Sequence, residues 1–358
     1  MSTVSLFPAP SIPRIVNPKN EQPRSSSDHE PSATAIVYCE ANFGAMDGKT
    51  ANGLIRHSEK YEILSVIDSE KAGLDAGMVL DEVPNGIPIC RDLDDALKLA
   101  GNDIPDYFIF GMAPSSGILS TKERGLVLEA IGLGMNIVNG LHEFLNEDPE
   151  FAAASAKMHV QILDVRKPRA KKDLRMFSGR IDEVTCPVIA VLGTDGAIGK
   201  RTTATILTRA LNDHGVKAVM VGTGQTGLIQ GARHGIALDA IPSQFCSGEM
   251  ESTVVEAFEA ESPDVIIVEG QGALSHPAYL TSTFILRGSR PDGVVLQHAP
   301  GRSHLGDFET IVMPTPAAEI NLIQTFAKTK VIGLTINHEN MTDTEVSAAI
   351  IKYEDELG

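Results

Sequence analysis

No C-x-x-C pair occurs in the 358 residues, and Cys39, Cys90, Cys186 and Cys246 are scattered. That argues against a disulfide framework or a thiolate metal site, and free thiols in a reducing cytoplasm are expected. Positive charge is also scarce: 30 Lys and Arg face 47 Asp and Glu, a formal net charge of −17. Nucleic acids and anionic membranes both need a basic surface, so neither is an expected partner, although a locally cationic pocket is still allowed. No apolar run is long enough to span a bilayer, and the first residues lack the basic-then-apolar order of a signal peptide. His298, His304 and His338 lack a metal-ligand spacing such as H-E-x-x-H, so structural roles or substrate contacts are expected of them and no metal. No Ser or Cys sits in a nucleophile-elbow pattern, which favours direct group transfer over a covalent intermediate.

What is present is a chain that is 42% hydrophobic and long enough for two domains. Residues 1–33 are rich in Pro, Ser and charge without periodicity, which reads as a disordered arm. Leu6, Phe7, Ile12 and Ile15 would let it dock on a second subunit, a slender hint of a homo-oligomer. From 34 to 168 the pattern alternates: strands at 35–39, 63–67, 87–90, 107–112, 136–138 and 160–165, with helices at 50–57, 93–99 and 122–133. Such alternation predicts an α/β fold with a parallel sheet and right-handed crossovers. Asp68 closes the second strand, where an acidic residue can meet a ribose, but the glycines here do not follow G-x-G-x-x-G. Residues 169–184 are polar and basic and make the best linker, solvated in the simplest reading. Arg166 and Lys167, just before it, could instead help an anionic ligand.

The second domain, 185–358, opens on the stretch that organises the chain. Val188, Ile189, Val191 and Leu192 form an apolar strand, and a helix follows with Ile206, Leu207, Ala210 and Leu211 on one face. Between them, Gly193, Gly196 and Gly199 let the main chain curl with its N–H groups inward, and Lys200 supplies a point charge. The cradle as a whole, Gly193, Thr194, Gly196, Ala197, Gly199, Lys200, Arg201 and Thr202, is the expected phosphate site. It is one residue longer than G-x-x-x-x-G-K-[ST], and Arg201 occupies the place of the Mg²⁺-binding hydroxyl. Either Thr202 supplies that hydroxyl or nothing does.

Three further strands, at 218–221, 264–268 and 294–297, and a last one at 331–336 complete a doubly wound parallel sheet. The first ends in Gly222-Thr223-Gly224-Gln225-Thr226-Gly227, placing Gln225 and Thr226 where ligands collect in such sheets. The second ends in Glu269-Gly270-Gln271-Gly272, which makes Glu269 the leading general-base candidate; a capping carboxylate is its plain alternative. His276 and Arg287 follow on what reads as a loop, where Arg287 could clamp a carboxylate or form a surface ion pair. Thr342 and Glu345 form a capping box for a final helix with Val346, Ala349, Ile350 and Tyr353 as its buried stripe.

The 193–200 loop together with Val268-Glu269-Gly270-Gln271-Gly272 resembles dethiobiotin synthetase and its amidoligase relatives, whose loop binds ATP and whose Glu helps hold Mg²⁺. Their Thr after the Lys is Arg201 here. In layout, Gly86-Ile87-Pro88-Ile89, then 107–113 and 134–140, resembles the nucleotide-fold domain that binds coenzyme A in acyl-CoA synthetases. A closer likeness runs from residue 35 onward. It is carried by Val138-Asn139-Gly140-Leu141-His142, Asp164-Val165-Arg166-Lys167, the 193–200 loop, Thr223-Gly224-Gln225-Thr226-Gly227 and Glu269-Gly270-Gln271-Gly272. This set resembles a bacterial family catalogued as a domain of unknown function, with a Rossmann-like domain before a P-loop NTPase-like one.

Some members of that family are assigned as D-glutamate N-acetyltransferases that work beside an enolase-type racemase. The resemblance implies a cytoplasmic acyltransferase using acetyl-CoA on an acidic amino acid. The first alternative is a Mg²⁺-ATP-dependent ligase or kinase, and the second is a non-catalytic nucleotide or CoA sensor. For acyl transfer, Glu269 or Asp195 would be the base and Gln225, Thr226 or a main-chain N–H the oxyanion donor. Arg287, Arg233 and Arg166 would hold the substrate carboxylates, with Gln271 and His276 as further substrate contacts.

Overall fold

The computed structural model describes residues 33–358 apart from Asn102 and Ser115, so the arm expected over residues 1–33 lies outside the described residues except for Ala33, which opens the first strand. Two six-stranded parallel sheets organise the rest. The first is built from β1 (Ala33–Tyr38), α1 (Lys49–Arg56), β2 (Tyr61–Ile67), α2 (Ala76–Asp81), β3 (Ile89–Cys90) and α3 (Leu93–Ala100). It continues through β4 (Tyr107–Phe110), α4 (Thr121–Gly132), β5 (Asn136–Asn139), α5 (Pro149–Met158) and β6 (Ile162–Asp164). Its order, β3-β2-β1-β4-β5-β6, is that of the Rossmann fold. Ala35, Ile36 and Val37 are wholly buried because β1 is central: Val37 pairs with Val66 on one side and Ile109 on the other. The chain reverses direction of travel across the sheet between β1 and β4, and a crevice opens beyond the carboxyl ends of those strands.

The second sheet contains β7 (Val188–Gly193), α6 (Lys200–Asp213), β8 (Ala218–Gly222), α7 (Gln225–Gln230), β9 (His234–Gly235), α8 (Ser243–Glu261), β10 (Val265–Glu269), α9 (Thr281–Ser289) and β11 (Gly293–His298). A small hairpin, β12 (His304–Leu305) and β13 (Phe308–Val312), precedes α10 (Pro316–Ala327), β14 (Lys330–Ile336) and α11 (Asp343–Leu357). The order β14-β11-β7-β10-β8-β9 puts β7 beside β10, so the phosphate loop and Glu269 emerge side by side.

Several expectations change. Asp68 meets no open crevice: it is fully buried and accepts from the N–H of Phe43 (3.1 Å) and of Glu70 (3.1 Å), which anchors the turn after β1. The basic 169–184 strap keeps residues 169–173 and 176–178 exposed, as a solvated linker would, but it is also pinned to α8. Buried Glu249 accepts from Arg175 N at 2.6 Å, and Glu251 accepts from Ser178 N at 2.7 Å and Ile181 N at 3.2 Å. The strap crosses α8 so closely that a Cβ on Gly248 would lie 2.3 Å from Arg175 O. The capping box at Thr342 and Glu345 is present, but only Tyr353 of the expected α11 stripe is buried and Ile350 is exposed. Among the described residues no helix is long and apolar enough to cross a membrane, and the four cysteines are free thiols.

The domains meet where α1 packs on α7. Ile229 of α7 belongs to the apolar core of the first domain, and Glu59 N donates to Gln230 O at 2.9 Å. Gln230, itself buried, donates from Nε2 to the carbonyls of Gly53 and His57 at the end of α1.

Candidate active site

The apolar, β-branched run of β7 ends at Gly193, where a Cβ would meet Ile198 Cδ1 at 2.8 Å, so the loop can fold back only over a glycine. Ala197 (φ +48°) and Gly199 (φ +97°) take left-handed backbone, the geometry that turns successive N–H groups into one concavity. The amides of residues 197–200 have no acceptor among the described residues. Lys200 begins α6, buried, with Nζ on the Asp195 carbonyl. Burial pushes its pKa down to about 8, against the opposing pull of Asp195 and Glu269. A nest of unpaired amides plus a desolvated cation is an anion site.

Glu269, at the end of β10, is buried; Oε2 accepts from Thr223 N at 3.0 Å. Burial raises its pKa above the usual carboxylate range, resisted by Arg201, the Thr223 N–H and Lys200. Arg201 donates from Nε to Gln230 Oε1 at 2.8 Å and lies 3.2 Å from Met220 Sδ. A Cβ on Gly227 would stand 2.5 Å from Glu269 Oε2 and 3.0 Å from Arg201 Nη1, so carboxylate and guanidinium share one face of α7. Thr202, one position on, is rotated by about 100° around α6 and cannot replace residue 201 on its face. A fixed guanidinium in the hydroxyl's place repels a divalent cation, so these residues do not fit a Mg²⁺ site.

Asp195 is buried under Arg302: Oδ2 accepts from Arg302 Nη1 at 3.1 Å and Gly306 N at 2.9 Å, and Oδ1 accepts from Gly196 N at 2.6 Å. Arg302 also donates to the carbonyls of Gly196 and Ala197 (3.1 Å each) and pairs with Glu339. Asp195 therefore braces the loop rather than standing ready as a base. Buried His276 lies near it, Nε2 3.8 Å from Asp195 Oδ1 and without a hydrogen-bond partner. Its Nδ1 accepts from Ala278 N at 3.2 Å, its ring stacks on Tyr279, and burial lowers its pKa. Thr194 Oγ1 meets His298 Nδ1 at 2.8 Å, and His298 Nε2 meets Tyr353 Oη at 3.0 Å, which ties the loop to α11.

Gln225 opens α7, buried against Gly140 at the end of β5, with no hydrogen-bond partner for its amide among the described residues. Gln271 donates to Thr223 Oγ1 at 3.0 Å, holding the two strand ends together. The Thr226 hydroxyl pairs with Thr50 Oγ1 at 3.2 Å across the domain junction, with either oxygen able to donate. None of the three expected carboxylate clamps is available. Arg287 lies on the outer face of α9, not on a loop, with its guanidinium 4.9 Å from the Phe326 ring centre. Arg233 is exposed and paired with Glu261. Arg166 does reach the crevice, buried, but it is bound to Gly140 O at 2.6 Å and to Asp239.

His298 takes one of the roles expected of it, a structural one, while Arg302, Gln230 and Lys49 are site residues that the sequence does not single out. None stands in a motif, and each is recognisable only by its neighbours. His304 and His338 are exposed or bonded locally, and the described residues hold no cluster of His, Cys, Asp or Glu fit for a metal ion.

Residues 175–358 match the family model described as a domain of unknown function, DUF1611_C P-loop domain, and residues 69–168 match the DUF1611_N Rossmann-like domain. This chain belongs to the DUF1611 family. A crystal structure of a DUF1611 protein from Anabaena variabilis is 29% identical, with a TM-score of 0.81, covering 89% of this chain and 92% of that one. Two relatives carry the name D-glutamate N-acetyltransferase. One, from a Pseudoalteromonas species, is 34% identical over 242 residues, 66% of this chain and 70% of its own. The other, from Tritonibacter scottomollicae, is 28% identical over 257 residues, 70% and 74%. The DUF1611 pairing of a Rossmann-like sheet with a P-loop sheet thus accounts for both halves of the site.

Proposed function

We propose that this DUF1611 protein is an N-acetyltransferase that moves the acetyl group of acetyl-CoA to the amine of an acidic amino acid, D-glutamate foremost. The observation that carries the reading is the phosphate loop itself, in which open amides and Lys200 remain while Arg201 replaces the metal-binding hydroxyl. Such a loop suits the phosphates of coenzyme A, which need binding but no phosphoryl chemistry. The names of the two relatives support the same reaction.

Glu269 is the base in this scheme. Burial raises its pKa above the usual carboxylate range, which makes it a stronger base toward the substrate ammonium than an exposed carboxylate. The freed nitrogen attacks the thioester carbonyl, and the Gln225 side-chain amide donates to the oxyanion. As the C–N bond is completed the C–S bond breaks, the thiolate sulfur takes the second proton from nitrogen, and Glu269 returns its own to solvent. The products are N-acetyl amino acid and free coenzyme A.

The test is acetyl-CoA with a panel of D- and L-amino acids, read as thiol release. Release with D-glutamate and without ATP is expected. An ATP-dependent ligation is the second reading, favoured by the same unpaired amides, which suit any polyphosphate, and opposed by Arg201 in the place of the Mg²⁺-binding hydroxyl. It would be adopted if no amine releases thiol while ATP plus a carboxylate gives ADP.

A further inference from the structure

With Arg166, Arg233 and Arg287 committed elsewhere, the crevice still needs a cation for a substrate carboxylate, and one stands on the opposite wall. Lys49 is the first residue of α1, exposed, and no hydrogen bond or ion pair holds its ammonium among the described residues. Its position is bracketed by two contacts between the domains. Three residues before it, Met46 Cε lies where a Cβ on Gly306 would meet it at 2.9 Å, and Gly306 N is bonded to Asp195 of the phosphate loop. One residue after it, Thr50 Oγ1 touches Thr226 Oγ1 at 3.2 Å, next to Gln225. Lys49 therefore sits between the loop and the start of α7, over the mouth of the site.

The charges around it agree with that placement. Although the residue keeps an exposed surface, the crevice walls desolvate its ammonium and, with Arg166, disfavour its charged form, while Asp307 and Asp47 favour it, and Lys49 in turn acts on Lys200 and His142. Each neighbouring cation has a polar partner: Arg166 has Gly140 O and Asp239, Lys200 has the Asp195 carbonyl, and Arg302 has Asp195 and Glu339. Among the described residues no hydrogen bond or ion pair holds Lys49, and Arg166 and Lys200 stand near enough to act on it, a repulsion that an incoming anion relieves.

We propose that Lys49 of the Rossmann-like domain binds the side-chain carboxylate of the acceptor amino acid and so sets the preference for acidic substrates. The distal carboxylate is the fitting one because Lys49 is carried on the Rossmann-like wall between the Met46–Gly306 and Thr50–Thr226 contacts, whereas Glu269, which must reach the amine, is buried at the end of β10 in the other domain. The α-carboxylate, one carbon from the amine, would have to lie much nearer to Glu269. The inference rests on the acetyltransferase reading for the site's orientation, and it adds that the substrate is closed between the two domains.

The experiment compares D-glutamate with its neutral counterpart D-glutamine, in wild type, Lys49→Met and Lys49→Arg, by acetyl-CoA-dependent thiol release and by calorimetric binding of each amino acid. Lys49→Met is expected to raise KM for D-glutamate about tenfold or more with kcat little changed, and to erase the preference over D-glutamine. Lys49→Arg should recover part of it. An unchanged preference in Lys49→Met overturns the assignment. If wild type releases no thiol with any amine, the acetyltransferase reading falls, and the binding data still decide Lys49. D-glutamate binding that Lys49→Met loses supports it, and binding that is absent in wild type or unaltered by the substitution overturns it.

Discussion

Arg201 Nε donates to Gln230 Oε1 at 2.8 Å, and Gln230 Nε2 donates onward to the carbonyls that end α1 in the other domain. The residue that displaces the metal-binding hydroxyl of the phosphate loop is thus the link between that loop's helix and the Rossmann-like domain. One buried side-chain amide joins the two halves of the crevice.

Arg201→Met should remove this link and leave Gln230 Oε1 buried without a donor, costing about 1–3 kcal/mol, readable as a lower midpoint in urea. It also deletes the cation that holds the Glu269 pKa down. The acid limb of the rate profile should then move to higher pH. Unchanged stability and an unchanged profile together would mean the link is idle.

Two groups set the pH dependence of kcat/KM for the free protein. Glu269 must be deprotonated, so activity rises through a pKa above the usual carboxylate range; Lys200 must stay protonated, so activity falls above about pH 8. Glu269→Gln should lower kcat by about a hundredfold or more and abolish the acid limb. Lys200→Arg should shift the alkaline fall upward, because a guanidinium keeps its charge there. A fall that stays in place would assign it to another group.

Gly227→Ala tests the placement of the base without touching its chemistry. Helical backbone tolerates alanine, but the new Cβ would stand 2.5 Å from Glu269 Oε2. The carboxylate must shift, and about a tenfold or greater loss in kcat is expected from the misplacement. Full activity in this variant would remove Glu269 as the base.

His298 makes stability depend on pH. Burial, then Lys352, pushes its pKa down to about 4, while the unfolded chain takes up that proton near pH 6.5. Between those values the unfolded state binds a proton that the folded state does not, so stability drops as pH falls. The slope is at most about 1.4 kcal/mol per pH unit from this group. Urea melts from pH 7 to pH 5 should show a shallower slope in His298→Gln than in wild type. Equal slopes would place the linkage elsewhere.

Much of the architecture is legible in local sequence because its signals are local. β7 and β10 are short β-branched runs buried on both faces, and the loop needs glycine where it doubles back. The longest helix gives no such signal. Along the 19 residues of α8, Glu249, Glu251 and Thr253 are buried together with Met250 and Val254. The two carboxylates face the 175–181 strap, so no apolar stripe forms, and only the folded strap explains why carboxylates belong there.

The amino-acid sequence by itself determined the two α/β domains, the phosphate loop, the missing metal hydroxyl at Arg201 and the position of Glu269 at a strand end. Each depends on residues within one turn or one strand of each other. Tertiary structure decided which charges are available. Arg166 is bound to Asp239, Arg233 to Glu261, and Arg287 is carried on the last turn of α9 against Phe326, whereas Lys49, in no motif, has no polar partner among the described residues at the mouth of the crevice. A cation's freedom depends on the acceptors that distant segments bring to it, and spacing along the chain does not carry that information.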